Sequence, residues 1–381
     1  MNSLERVQAM LEGRPFDKYP VFSSHPDFQL YPHWPKINRK CFLHPTYGSN
    51  EQKMECWIKK KECLGLDFVN ALVTKPNQDS HWKIEYDGKI PVLIDLQTGE
   101  RKSFPEFPKD LVTDYKRYNS VKEIEALPPP ATAEDLYKPE LYELQKKLIE
   151  KRRNDCFLYG GVSSPFSACY RLLTFEGLFE TIIDSPAMIH ALMEHSTEAT
   201  IQSIKAAGRA GIFHGLHINE YPCGAELISE QHFKQFIFPY MKRYYRVVKE
   251  QGLLSIMEYL GWVEPRLHLL AELDIDILQT ESSLKSYQNR LGEYRRIMGD
   301  DICLLSNSAI YKTIEQGTEE EWRSDAALQA QGIGSKNRFG ICPGSPVTWA
   351  TTPERFRQWH ETVSDVCLKI APLNSRPQSM S

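Results

Sequence analysis

Glu258 closes an apolar run, Leu253-Leu254-Ser255-Ile256-Met257, and a carboxylate in such a place is costly unless it is paired, protonated or bound to a metal. It reads either as a buried glutamate matched by a lysine or arginine, or as a working acid, base or metal ligand. His217 with Glu220, Glu281 and Cys342 lie at the ends of other apolar runs. His217 is either a catalytic imidazole or a satisfied core histidine, and Cys342 either a reactive thiol or a small buried hydrophobe. Cys303 sits inside an apolar run and reads as core; Cys223 sits in a Pro-Cys-Gly loop and reads as inert. The aromatics Tyr221, Tyr259, Trp262 and Trp349 fall just past the same run ends. They either pack loops or, with Glu281, bind a flat and largely uncharged substrate.

These groups can meet only if each ends a strand of one sheet. From residue 156 onward, short apolar runs alternate with helix-period segments. The pattern predicts strands over 156–164, 211–218, 253–260, 277–281, 302–307 and 338–342. Helices are predicted over 229–251, opened by Ser229 with Glu230, and over 264–273, 284–298, 319–330 and 352–370. Repeated β-α units with short connections predict a parallel sheet with both faces covered, as a barrel or as a doubly wound sheet. No GxGxxG or GxxxxGK[ST] follows a strand, which speaks against nucleotide binding. The first half is less regular, with strands over 19–24 and 67–73 and a helix over 52–64. Residues 81–107 alternate like a β-ribbon, with turn signals at Asp87-Gly88 and Thr98-Gly99, and predict a hairpin insertion beside the mouth. A long polar helix is predicted over 133–154.

The chain has 381 residues, of which 41% are hydrophobic and 25% charged. That composition is globular, and a decorated barrel can use the whole length as one domain. The net charge of -4 implies no basic face, so a nucleic-acid partner is not expected. Nine scattered cysteines without CxxC, and an N-terminus charged throughout, predict free thiols in a reducing cytoplasm and no membrane partner.

Several segments resemble the uroporphyrinogen-decarboxylase superfamily. LERVQAMLEGRPFDKYPV at the N-terminus is similar to its opening helix and first strand. Gly160-Gly161-Val162-Ser163-Ser164-Pro165-Phe166 is similar to its Gly-x-Pro-Phe turn, and Asp184-Ser185-Pro186 to a helix start. Ala210–Phe213, Leu227–Phe233, Phe238-Pro239-Tyr240 and Thr352-Pro353-Glu354 follow in the family's order. The resemblance implies a TIM barrel: one (β/α)₈ domain over residues 1–374 with an N-terminal helix and the 81–107 insertion, and a disordered tail over 375–381.

The resemblance also implies an activity. The superfamily decarboxylates uroporphyrinogen or transfers methyl groups with zinc and corrinoid proteins. Its decarboxylases carry Arg-Gln-Ala-Gly-Arg-Tyr after the first strand; here the segment reads Ser23-Ser24-His25-Pro26-Asp27-Phe28, without the arginines a polycarboxylate needs. Its thiol-activating methyltransferases carry His-x-Cys-Gly after the fifth strand; here it reads Glu258-Tyr259-Leu260-Gly261, while Cys342 stands at a third-ligand cysteine. The expectation is a methyltransferase moving a methyl group from an O-methyl donor, with methoxylated aromatics among the candidates, to cobalamin on a corrinoid protein. Glu258, Glu220 and His217 are its candidate catalytic residues. Zinc would be held by Glu258 and Cys342, with His217, Glu220, Glu281 or Cys303 as the third ligand. Glu258 alternatively serves as a protonated general acid. A homodimer is compatible with this reading. The alternative is a decarboxylase or lyase of a small carboxylate, with Lys336 and Arg338 as its candidate cations.

Overall fold

The computed structural model describes residues 1–30, 33, 50–70, 82–87, 90–103, 118, 120–152, 155–284, 286–333, 337–344, 347–348 and 350–370. Its strands are β1 (Phe68–Asn70), β2 (Trp82–Asp87), β3 (Ile90–Asp95), β4 (Arg101–Ser103), β5 (Phe157–Ser163), β6 (Gly215–Glu220), β7 (Leu254–Tyr259), β8 (Ile277–Thr280), β9 (Cys303–Leu305) and β10 (Phe339–Gly340). Seven of them form a parallel sheet in the order β1-β5-β6-β7-β8-β9-β10.

Residues 20–22 join the two edges of that sheet. Val21 bridges in parallel to Ile341; Phe22 N donates to Ile341 O at 2.8 Å, and Asp67 N donates to Val21 O at 3.0 Å. The result is the expected (β/α)₈ barrel, with the first strand reduced to this short segment. Two features shorten it: Pro20 has no N–H to give the ladder, and Val21 N donates to the Asp67 carboxylate at 2.9 Å instead.

The N-terminal helix, Ser3–Glu12, closes the floor of the barrel. Asn2 and Glu5 form a capping box at its start, and Gly13 ends it at φ 68°. Cys303 Sγ donates to Met10 O at 3.5 Å, and a Cβ on Gly340 would stand 3.2 Å from Met10 Sδ. Arg338 donates to Leu11 O and, at 3.1 Å, to Asp301 O. Cys303 and Arg338 therefore lie at the floor, away from the strand ends. Neither serves as the third metal ligand or the substrate cation expected of it; Lys336 lies outside the described residues.

Several predicted elements divide. The 81–107 insertion is a three-stranded antiparallel sheet, β2-β3-β4, rather than a hairpin. The helix expected over 133–154 is Ala133–Leu136, a 3₁₀ turn at Pro139–Tyr142 and Glu143–Arg152, because Pro139 cannot continue a helix. The one expected over 229–251 splits into Glu230–Phe236 and Phe238–Glu250 around Pro239. The strand expected over 211–218 begins only at Gly215, because Gly211 is the left-handed cap of the 25-residue helix Pro186–Ala210. Among the described residues no helix is long and apolar enough to cross a membrane. The disordered tail expected over 375–381 lies outside the described residues.

Candidate active site

Strand register decides which side chains share the barrel lumen, because neighbours in register point to the same face and alternate residues repeat it. Gly161 pairs with His217, Asn219 with Glu258, and Glu258 with Gln279. His217 packs beside Phe22 and Tyr159, with ring centroids 5.9 Å away in each case, which fixes this face as the interior. Glu258 is fully buried there. Its Oε2 accepts from Asn219 Nδ2 at 2.6 Å and lies 3.3 Å from His217 Nε2 and 3.7 Å from His25 Nε2. The His217 contact is close but lacks hydrogen-bond geometry at Nε2.

Burial is the largest influence on the Glu258 carboxyl and pushes it up, but His217 and His25 together outweigh it and hold the group well below the usual carboxylate range. Glu258 is thus an ionised anchor for two imidazoles. The expected role as a protonated acid does not fit it. Around it, Glu258 Oε1, both amide atoms of Gln279, Asn70 Oδ1 and Ser24 Oγ are buried without hydrogen-bond partners among the described residues. Unpaired polar atoms gathered at one end of a barrel are the mark of a site awaiting a ligand or water.

The family's sequence profile, uroporphyrinogen decarboxylase (URO-D), matches residues 101–366. The chain belongs to the URO-D family. A methyltransferase from Methanosarcina mazei has a similar structure, with a TM-score of 0.62 at 17% identity, covering 96% of this chain and 99% of that one. The tandem GH20 catalytic modules of the pneumococcal exo-β-D-N-acetylglucosaminidase StrH match at a TM-score of 0.43 and 11% identity, over 94% of this chain and 86% of theirs. No curated protein sequence matches the chain.

Within this URO-D fold, Glu220 and Tyr259 face away from the lumen. Glu220 Oε1 accepts from Tyr244 and Tyr245, at 2.6 and 3.0 Å, both on the helix Phe238–Glu250. Burial pushes its carboxyl up to about 7, against the pull of the tyrosine and Ser164 hydroxyls. The expected catalytic place of Glu220 is corrected on this ground: it sits in the helix layer. Tyr259 is wholly buried and donates to Cys223 O at 2.7 Å, so it braces a loop rather than touching a substrate.

Glu281, Trp262 and Tyr221 lie at the rim. Glu281 Oε2 accepts from Gly261 N at 2.9 Å and from Tyr287 at 3.1 Å, which ties the loop after β7 to the loop after β8. Burial raises its carboxyl. Gly261 has φ 98°, and a Cβ there would fall 2.9 Å from Gly224 Cα, so only glycine serves this turn. Trp262 stacks on Tyr287 at 6.4 Å, and Tyr221 meets Tyr170 edge-on at 5.8 Å. Trp349 lies outside the described residues.

Cys342 follows Gly340 by two and so shares its inward face, but its buried thiol donates to Pro343 O at 3.1 Å. Burial, and then the Glu258 charge, push that thiol well above its ordinary range. Among the described residues no group of three or more His, Cys, Asp or Glu is placed to hold a metal ion. The Glu258–Cys342 pair does not by itself make up the expected zinc site, because no third ligand stands beside it among the described residues.

His25, Asn219 and Gln279 were not singled out from sequence. His25 follows the first strand, the same kind of position that drew attention to Glu258. Asn219 stands two residues after His217, and Gln279 two before Glu281; the two-residue repeat was the available signal.

Proposed function

We propose that the chain is a methyltransferase that moves a methyl group from an O-methyl donor, such as a methoxylated aromatic compound, to cobalamin carried by a corrinoid protein. The observation that carries this reading is Glu258: a fully buried, ionised carboxylate whose ion-pair partners among the described residues are two histidines and no lysine or arginine. No lysine or arginine pairs with Glu258 among the described residues, so this cluster offers a carboxylate substrate no permanent cation, whereas a neutral ether needs none. The rim aromatics Tyr221, Trp262 and Tyr287 suit a flat ring. The methyltransferase named among the similar structures supports the reading by analogy of fold.

An ether oxygen is a poor leaving group and needs a proton as the carbon–oxygen bond breaks. His25, whose side chain is 40% exposed and whose Nε2 lies 3.7 Å from Glu258 Oε2, is the imidazole placed to meet the donor and to give that proton. Asn219 holds the carboxylate in place, and the Gln279 amide and Ser24 hydroxyl offer orienting hydrogen bonds. The reduced corrinoid arrives as the cargo of its partner and supplies the nucleophile for the methyl carbon. It meets the site where β5 ends: Gly161 and Ser163 are exposed, and a Cβ on Gly161 would touch nothing nearer than His217 O at 4.0 Å.

The test is methyl transfer from a panel of methoxylated donors to reduced corrinoid protein, followed by the cobalt absorbance change. Turnover of at least one donor is expected. No turnover of any donor, together with carbon dioxide release from a carboxylate substrate, would contradict the reading.

A further inference from the structure

The aromatic rim continues outward from the mouth. Tyr170, which meets Tyr221, lies 6.2 Å from Phe175, and Phe175 lies 5.0 Å from Phe179, both pairs edge to face. Phe175, Phe179 and Ile183 recur every fourth residue along the helix Phe175–Asp184 and so share one face. Phe175 is 38% and Ile183 65% exposed, while Leu178 and Ile182 fill the core side. Leu178, Ile182, Phe175, Phe179 and Ile183 form one continuous apolar face, and its outer edge at Phe175 and Ile183 reaches solvent instead of being covered.

Glu176, Glu180 and Asp184 form a parallel row one residue further on. None of the three has a hydrogen-bond or ion-pair partner among the described residues. Some helical glutamates elsewhere on the surface are matched four residues on or back, as in Glu143–Lys147, Glu230–Lys234 and Glu319–Arg323, while others such as Glu320 and Glu361 are not. The helix is also held at a fixed angle to the mouth. Thr174, at its start, has φ 69°, the one positive φ outside glycine among the described residues, and its hydroxyl accepts from Gly177 N at 3.2 Å. Such strain persists where the surroundings over-determine a conformation.

We propose that the helix Phe175–Asp184 seats a protein partner that presents an apolar patch bordered by lysine and arginine, and that this partner is the acceptor carrier; the second clause rests on the methyl-transfer reading. The apolar stripe runs unbroken into the rim of the site, so a protein seated on it stands beside the reacting group. The unmatched acidic row selects a basic partner. A second copy of this chain is disfavoured, because a two-fold contact through this face would bring acidic row against acidic row.

The experiment uses the full chain with cobalamin-loaded corrinoid protein, and compares wild type with Ile183→Asp and with the triple variant Glu176→Lys, Glu180→Lys, Asp184→Lys. Binding is read by sedimentation across a salt series, and methyl transfer is read with the carrier and, separately, with free reduced cobalamin, which needs no docking surface. Both variants are expected to weaken carrier binding by about tenfold or more, with the salt dependence flattened in the triple variant. Both are expected to methylate free cobalamin at the wild-type rate. Absent binding in wild type, equal binding in all three proteins, or an equal loss with free cobalamin overturns the proposal. So does wild-type self-association abolished by the triple variant, which would make a second copy the occupant. If wild type methylates neither acceptor, the methyl-transfer reading fails, and the binding series still decides the docking surface.

Discussion

Glu220 and Glu258 are both buried carboxylates near strand ends, and their neighbours drive them in opposite directions. Glu258 faces two imidazoles and is held ionised, whereas Glu220 faces two tyrosine hydroxyls and is pushed up to about 7. For Glu220 the folded value exceeds the ordinary 4.5, so the folded state keeps a proton that the unfolded state releases. Its contribution is complete below about pH 4.5 and falls away as pH rises toward 7, by an amount on the order of 3 kcal/mol. Glu220→Gln should flatten this slope in urea-denaturation midpoints measured from pH 4.5 to 7.5, with methyl transfer intact. An unchanged slope, or lost activity, would contradict its place in the helix layer. For Cys342, Cys342→Ala should cost about 1 kcal/mol of stability through a small cavity and leave turnover near wild type. A hundredfold fall in turnover would instead restore the thiol to the chemistry. These two assignments also show what the sequence could and could not reveal. His217 and Glu220 are three apart on β6 and must face opposite ways, as must Glu258 and Tyr259, so the two-residue period held the signal that separates them, although the reading from sequence took all four as site residues. Which of each pair faced the lumen depended on the packing of Phe22 and Tyr159, which no local pattern displays.

The elements that hold the site are fastened by a buried network at the base of the barrel. Arg6, on the helix Ser3–Glu12, donates to both Asp17 oxygens at 2.7 and 2.8 Å and to Asp67 at 2.5 Å, while Asp67 accepts from Val21 N. One side chain thus joins the floor helix, the first strand and the start of β1, and hydrogen bonding to Arg6 draws Asp17 well below the usual carboxylate range. Arg6→Met should leave Asp67 buried without its cation and cost about 3 to 5 kcal/mol, read as a lower urea midpoint. A loss under about 1 kcal/mol would show that this junction does not hold the ring closed. At this scale the alternation of strand and helix from residue 156 onward was readable, because parallel strands buried on both faces read as continuous apolar runs. The breaks were less so. Pro139 and Pro239 carried the signal for two divided helices, but the apolar period runs past both.

The whole molecule places one ionised carboxylate and two imidazoles at the open end of a barrel, with a floor sealed by its own N-terminus and an apolar, acid-bordered helix leading away from the rim. The barrel was legible through the order of family-like segments. Closure through a segment as short as residues 20–22 was not, because it depends on the Asp67 carboxylate substituting for a ladder bond. The account depends most on Glu258, the buried carboxylate beside the imidazole that meets the leaving oxygen. The Glu258→Gln change keeps the shape and the Asn219 contact while removing the charge. Its single-turnover methyl transfer to reduced corrinoid protein, measured on a donor that wild type accepts, should fall by at least about a hundredfold. Full activity in Glu258→Gln would contradict the account.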